Sequence, residues 1–221
     1  MPAATVSAHR LAYFAVPKAA STSMKLALWK LKTGSDWAGD PDRVHREFPT
    51  FPIKPEELAA PEGYFSFTIV RDPVKRLLSS YGNRVHFHRD LYKAVSKHRG
   101  KRWVWRLRHR GVDLLPDADK YFSDLKLYQS LSHSIWHHTA GVRTFIGDDL
   151  SRFDRIYKIE EIDRLEKELS AHTRTRVVLP REQTSGPKLE YSDLSLDARK
   201  AVKKSTEEDY DFLAEYFQPP N

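Results

Sequence analysis

The chain has 221 residues, 40% of them hydrophobic and 12% aromatic, which suits one globular domain over 1–221 and excludes a disordered chain. It has no cysteine, which excludes disulfides and thiolate metal sites, and no apolar run near the ~20 residues of a membrane span. The net charge is +7, yet residues 97–110 alone carry seven Lys/Arg and no acid, leaving 30 basic against 30 acidic elsewhere, so the excess is local and points to an acidic partner. The small and polar Met1–Arg10 lacks the layout of a signal peptide, and together with the missing cysteines this gives a cytoplasmic expectation.

In chain order, Arg10–Val16 reads as a buried strand closed by Pro17. A helix is predicted over Thr22–Lys32, with Ser21, Thr22 or Ser23 as cap and Met24, Leu28 and Leu31 at helical spacing. Residues 33–63 hold five prolines and three glycines and read as loop or short helix. Tyr64–Val70 is the clearest strand, and Pro73 opens a helix running to about His88. The segment around 90–118 reads as a basic excursion. Helices follow at about 119–131 and 133–143, a strand at Arg155–Ile159, a helix at Ile162–His172 and a short strand at Arg176–Leu179. Ser195 caps a last helix ending near Tyr216. This alternation predicts an α/β fold with a central parallel sheet flanked by helices.

Two strand-to-helix junctions carry the chemistry. At the first, Lys18 and the hydroxyls of Ser21, Thr22 and Ser23 meet the positive end of a helix, which makes an anion cradle. The loop has no glycine and its lysine comes early, unlike the nucleotide P-loop, so a Mg-nucleotide kinase is the weaker alternative. At the second, Arg71 leaves the strand's C-terminal edge, where ligands bind in α/β sheets, and Ser79 lies eight residues on. Arg71 suits paired recognition of phosphate oxygens, and Arg76 either supports it or pairs with Asp72. Each junction taken alone also fits an ordinary turn with solvated or ion-paired cations.

Together, Val16-Pro17-Lys18-Ala19-Ala20-Ser21-Thr22-Ser23 and Val70-Arg71-Asp72-Pro73-Val74-Lys75-Arg76-Leu77-Leu78-Ser79-Ser80-Tyr81 resemble the 5′-phosphosulfate loop and the 3′-phosphate motif of sulfotransferases that use 3′-phosphoadenosine-5′-phosphosulfate (PAPS), carbohydrate sulfotransferases in particular. The resemblance implies a P-loop-like three-layer sandwich and metal-free sulfuryl transfer from PAPS to a hydroxyl, leaving 3′-phosphoadenosine 5′-phosphate (PAP). It implies that Lys18, Ala19, Ala20, Ser21, Thr22 and Ser23 hold the 5′ group, that Arg71 and Ser79 hold the 3′-phosphate, and that Arg181 and Ser185 contact the donor from a late loop where Lys188 also lies. It further implies a base between the two junctions. That interval holds one histidine, His45, with Glu47, Glu56, Glu57 and Glu62 as competitors.

Two features lie outside these motifs. His133 and His137 share a helix face beside His138, a spacing open to an acceptor-site, catalytic or structural role, with metal binding disfavoured for want of a third ligand. Trp103 and Trp105 sit among the cations of 97–110. That pattern fits an acidic glycan, an anionic membrane surface, a nucleic acid or a solvated helix. With the sulfotransferase resemblance, an acidic or carbohydrate acceptor is expected and nucleic acid is not; a non-catalytic polyanion-binding module remains an alternative to an enzyme.

Overall fold

The computed structural model describes residues 3–52, 60–180 and 186–220. Its strands are β1 (Ala4–Val6), β2 (Leu11–Phe14), β3 (Phe65–Val70) and β4 (Arg155–Lys158). Its helices are α1 (Ser21–Thr33), α2 (Val44–Glu47), α3 (Pro73–Ser80), α4 (Asp90–Arg99), α5 (Lys101–His109), α6 (Ala118–Ser123), α7 (Leu125–Leu131), α8 (His133–Thr139), α9 (Arg143–Ile146), α10 (Ile162–Thr173) and α11 (Leu196–Phe212). The protein has an α/β fold. Among the described residues no helix is long and apolar enough to cross a membrane. The chain forms two compact units, Met1–Arg71 with Val142–Gln183, and Asp72–Gly141 with Thr184–Asn221.

The first unit holds a sheet of order β1-β2-β3-β4. β2, β3 and β4 run parallel, with Leu11 opposite Phe65 and Phe67 opposite Arg155. All four residues of β2 are buried, the unbroken apolar run that a parallel strand covered on both faces requires. Tyr13 stacks on Phe67 at 5.2 Å, and Met24 and Leu28 of α1 and Leu165 and Leu169 of α10 are fully buried. Burial at that depth stabilises by roughly 2 kcal/mol per side chain. Because the three strands are parallel, the chain after β2 (the Lys18 loop), after β3 (Arg71) and after β4 (Ile159) emerges at one edge of the sheet. The fold thus brings both cationic junctions to the edge where α/β sheets bind ligands.

Two strand assignments differ from expectation. β1 pairs antiparallel with β2 through a 3-10 turn at Ser7–His9 and Arg10 at φ 48°; three small residues at a sheet edge leave little periodicity to read. Arg176–Leu179 joins no sheet among the described residues. The N–H of Val177 donates to Ser170 Oγ at 2.8 Å and that of Leu179 to Glu166 Oε1 at 2.7 Å, so side chains of α10 take donors that a ladder would use.

The second unit is helical. Val74, Leu77 and Leu78 of α3 pack with Tyr121 and Phe122 of α6, Tyr128 of α7, Ile135 of α8 and Val202 of α11. The helix expected to His88 is α-helical only to Ser80 and continues as a π-helical turn over Tyr81–Phe87, where His88 N–H reaches the Asn83 carbonyl at 2.9 Å. The helix expected over 119–131 breaks at Asp124, and the one over 133–143 breaks at Ala140, whose ψ of 149° is extended. The basic excursion is a hairpin of α4 and α5 turning at Gly100, with Val95, Val104, Leu107 and Leu114 as its own small core.

Candidate active site

The chain leaves β2 through Val16 and Pro17, both buried, into a tight loop with Lys18 at φ 66° and Ala20 at φ 55°. A left-handed conformation costs a non-glycine residue about 1 kcal/mol or more, and two in three positions is a recurrent sign of a functional turn. Between them Ala19 is fully buried and its N–H donates to the Val16 carbonyl at 3.3 Å. The loop delivers α1 with Ala20 at its cap position and no capping side chain, whereas Asp72, Asp117, Ser132 and Ser195 each cap their helices. The first-turn N–H groups of α1 therefore have no side-chain acceptor at the cap. Ser21 and Ser23 are half-buried, and their hydroxyls make no hydrogen bond among the described residues. The result is a concentration of donors and positive potential suited to an anion.

Arg71, directly after β3, donates from Nη1 to the Lys18 carbonyl at 3.2 Å. The two junctions, about fifty residues apart in sequence, thus share a hydrogen bond. Arg71 pins the backbone of the residue whose charge would face a bound anion.

His45 lies on α2, which Val44, fully buried, and Phe48 anchor beside α1. Thr22 Oγ1 is 3.0 Å from His45 Nε2. On the other side of the ring, Lys25 Nζ is 3.0 Å from Nδ1 and donates to Thr50 Oγ1. Lys25 is completely buried. Burial disfavours its charged form and pushes its pKa down to about 7. The expected base thus stands one hydrogen bond from the Lys18–Ser23 segment. Thr22 faces the histidine, while Ser23 and Ala20 line a 430 Å³ cleft with Ile159, Glu160, Ile162, Asp163, Leu179 and Pro180.

Glu47 is exposed on α2 and Glu62 is exposed before β3. Glu56, Glu57, Arg181 and Ser185 lie outside the described residues. Ser79 is half-buried on α3, its hydroxyl without a hydrogen bond among the described residues. Arg76 is not paired with Asp72. It is buried, with Nη2 donating to the Ala140 carbonyl at 2.8 Å and to Asp209 Oδ2 at 3.0 Å. Asp72 instead caps α3 through Lys75 N–H and accepts from Tyr210 Oη. His133, His137 and His138 lie on α8; His133 stacks on Trp136 and His138 Nδ1 sits against the Ser134 carbonyl. No group of three metal-ligating side chains occurs among the described residues. Lys188 is an exposed loop residue, and in α5 the exposed Trp105 lies against His109, ring centroids 3.8 Å apart and the planes tilted by 36°.

Lys25 and Thr50, joined to the expected base through Lys25 Nζ, are not among the residues expected from the sequence. A signal for Lys25 existed: it falls three residues after Thr22 and three before Leu28, on a helix face that must be covered. Thr50 carries no such signal, because only the tertiary path of the Pro-rich segment brings it to α1.

The sulfotransferase family is the family whose model matches the sequence, over residues 3–218. Comparison with the curated proteins and with solved structures returned no match.

Proposed function

The chain belongs to the sulfotransferase family, and from that premise we propose that it moves a sulfuryl group from PAPS to a hydroxyl of a carbohydrate or glycoconjugate, with His45 as general base. Lys18 and the first-turn N–H groups of α1 meet the negative charge that grows on the leaving 5′-phosphate oxygen as its bond to sulfur breaks. Arg71 binds the 3′-phosphate while its hydrogen bond to the Lys18 carbonyl holds the loop in register; Ser79 carries the same phosphate assignment from the motif alone. His45 Nε2 takes the proton of the acceptor hydroxyl as the new oxygen–sulfur bond forms, the Thr22 hydroxyl giving way to the acceptor at that nitrogen. The residues fit the donor: an uncapped helix start, with two hydroxyls that make no hydrogen bond among the described residues, suits the anionic end without a metal.

The observation that carries this reading is the 3.0 Å contact between Thr22 Oγ1 and His45 Nε2, which couples the loop's own threonine to the expected base. An acidic carbohydrate acceptor is supported by α5, which exposes Lys101, Arg102, Arg106 and Arg108 beside Trp105, cations for acidic groups and an aromatic face for a sugar ring. Calorimetric titration with PAP tests the donor site: the wild type binds, and Lys18→Ala and Arg71→Ala bind more weakly. No binding by the wild type overturns the donor assignment. Labelled-sulfate transfer to desulfated heparin and desulfated chondroitin, compared with simple alcohols and phenols, tests the acceptor class.

A further inference from the structure

We propose that Lys25 is a positioning residue for His45: its nitrogen, sealed against Nδ1, selects which imidazole nitrogen carries the proton, and thereby whether Nε2 offers a lone pair. The inference rests on the reading of His45 as base, but its geometry stands apart from the donor.

Thr22 Oγ1 lies against Nε2 of His45 and Lys25 Nζ against Nδ1, both at 3.0 Å. An ammonium has no acceptor capacity, so a charged Lys25 donates to Nδ1 and the ring's single proton must sit on Nε2. That tautomer has nothing at Nε2 with which to accept a proton. A neutral amine has one lone pair. It accepts from Nδ1–H, still donates to Thr50, and leaves the Nε2 lone pair toward Thr22. The base-competent ring therefore requires the uncharged amine.

The surroundings favour that state. Lys25 is completely buried and has no carboxylate partner among the described residues. Of the elements packed on α1, α2 contributes His45, with Arg46 and Glu47 exposed. The 3-10 turn Pro41–Arg43 contributes a half-buried Asp42 and an exposed Arg43, the turn Ser7–His9 a half-buried His9, and β1 no titratable group. With a pKa near 7, the amine is neutral above that pH. When Nε2 takes the acceptor's proton, the proton on Nδ1 can pass to the amine. The ring then ends neutral and the ammonium holds the charge, so no net proton is gained or lost within the pair beyond the one abstracted.

The test is two-bond proton–nitrogen NMR on protein labelled with 15N-histidine, recorded across neutral pH. In the wild type, as pH rises through about 7, Nε2 moves from pyrrole-type to pyridine-type while Nδ1 moves the opposite way. Ordinary ring deprotonation moves only one nitrogen and does not produce this crossing. Lys25→Arg, charged at every pH, holds Nε2 pyrrole-type throughout, and Lys25→Met abolishes the crossing. A wild type without the crossing, or Lys25→Arg showing it unchanged, overturns the proposal; the wild-type spectrum decides even if a variant does not fold. PAP titration of the same samples separates the two readings, because failure to bind PAP removes the donor assignment without moving the nitrogen shifts.

Discussion

Arg71 Nη1 donates to the Lys18 carbonyl at 3.2 Å, so the residue that would bind one end of the donor also holds the backbone that would bind the other. Arg71→Ala is expected to lower PAP affinity about 10- to 100-fold, the equivalent of one charge-assisted hydrogen bond of ~1.5–3 kcal/mol. Arg71→Lys recovers only part of this, since an ammonium cannot reproduce the planar fork that serves a carbonyl and a phosphate together. Calorimetry measures both, and unchanged affinity in Arg71→Ala removes Arg71 from the donor site.

His45→Ala is expected to keep PAP affinity and lose about 10²- to 10⁴-fold in turnover, the usual contribution of a positioned base. Labelled-sulfate transfer to the best acceptor of the desulfated glycan series measures it. Retained turnover would shift the role to the exposed Glu47 or to the histidines of α8.

Lys25 makes stability depend on pH. Its folded pKa, about 7, lies below the roughly 10.4 of an unfolded lysine, so between those values the unfolded chain binds more protons and stability rises with pH. The cost of holding this lysine folded is greatest below pH ~7, on the order of 4 kcal/mol, and fades toward pH ~10. Lys25→Met removes the cost, so its stability relative to the wild type is highest in the acid range and declines as pH rises. Urea denaturation at a series of pH values reads this slope; a difference that does not vary with pH would contradict a neutral, buried amine.

The buried Arg76–Asp209 pair joins α3 to α11, with Arg76 also bonded to the Ala140 carbonyl. Asp209→Ala is expected to destabilise by ~3–5 kcal/mol, because it strands a buried guanidinium. Replacing both residues, Arg76→Met with Asp209→Leu, should recover much of that loss. Denaturant midpoints measure the series, and a small effect of Asp209→Ala would mean that the guanidinium finds another partner.

Gly82 and Gly186 meet backbone to backbone. A Cβ on Gly186 would run into the Gly82 carbonyl oxygen, and Gly186 has φ 86°. A Cβ on Gly82 would lie 2.5 Å from the Pro187 carbonyl oxygen. Gly186→Ala and Gly82→Ala are each expected to cost more than the ~1 kcal/mol of an ordinary glycine replacement, since only backbone can move to relieve the clash. Thermal melts test both, and near-wild-type midpoints would show that the segment after Gly186 is free to shift.

The parts of this fold that were legible share a physical basis. β2 and β3 are short apolar runs ended by Pro17 and Arg71, β4 carries the strand formers Ile156 and Tyr157 before acidic residues, and α1, α10 and α11 announce themselves through apolar spacing and, for α11, the Ser195 cap. The illegible parts depend on partners outside their own segment. Arg176–Leu179 has strand composition but gives its N–H groups to Ser170 and Glu166, and β1 is defined only by its pairing with β2. Arg76 looks like a surface cation within its motif, yet Asp209, 133 residues later, draws it inside.

The chemistry on offer is written in the order of residues: two cationic strand-to-helix junctions, and one histidine between them. These are local, because strand ends, prolines and helix starts follow from neighbouring residues. How they combine depends on long-range packing. Parallel pairing of β2 with β3 brought Arg71 to the Lys18 carbonyl, and the packing of α2 on α1 set His45 between Thr22 and a fully buried lysine. Burial is the reason the second decision matters. The same lysine in solvent would stay charged, and the ring facing it would keep its proton on the nitrogen that has to be bare.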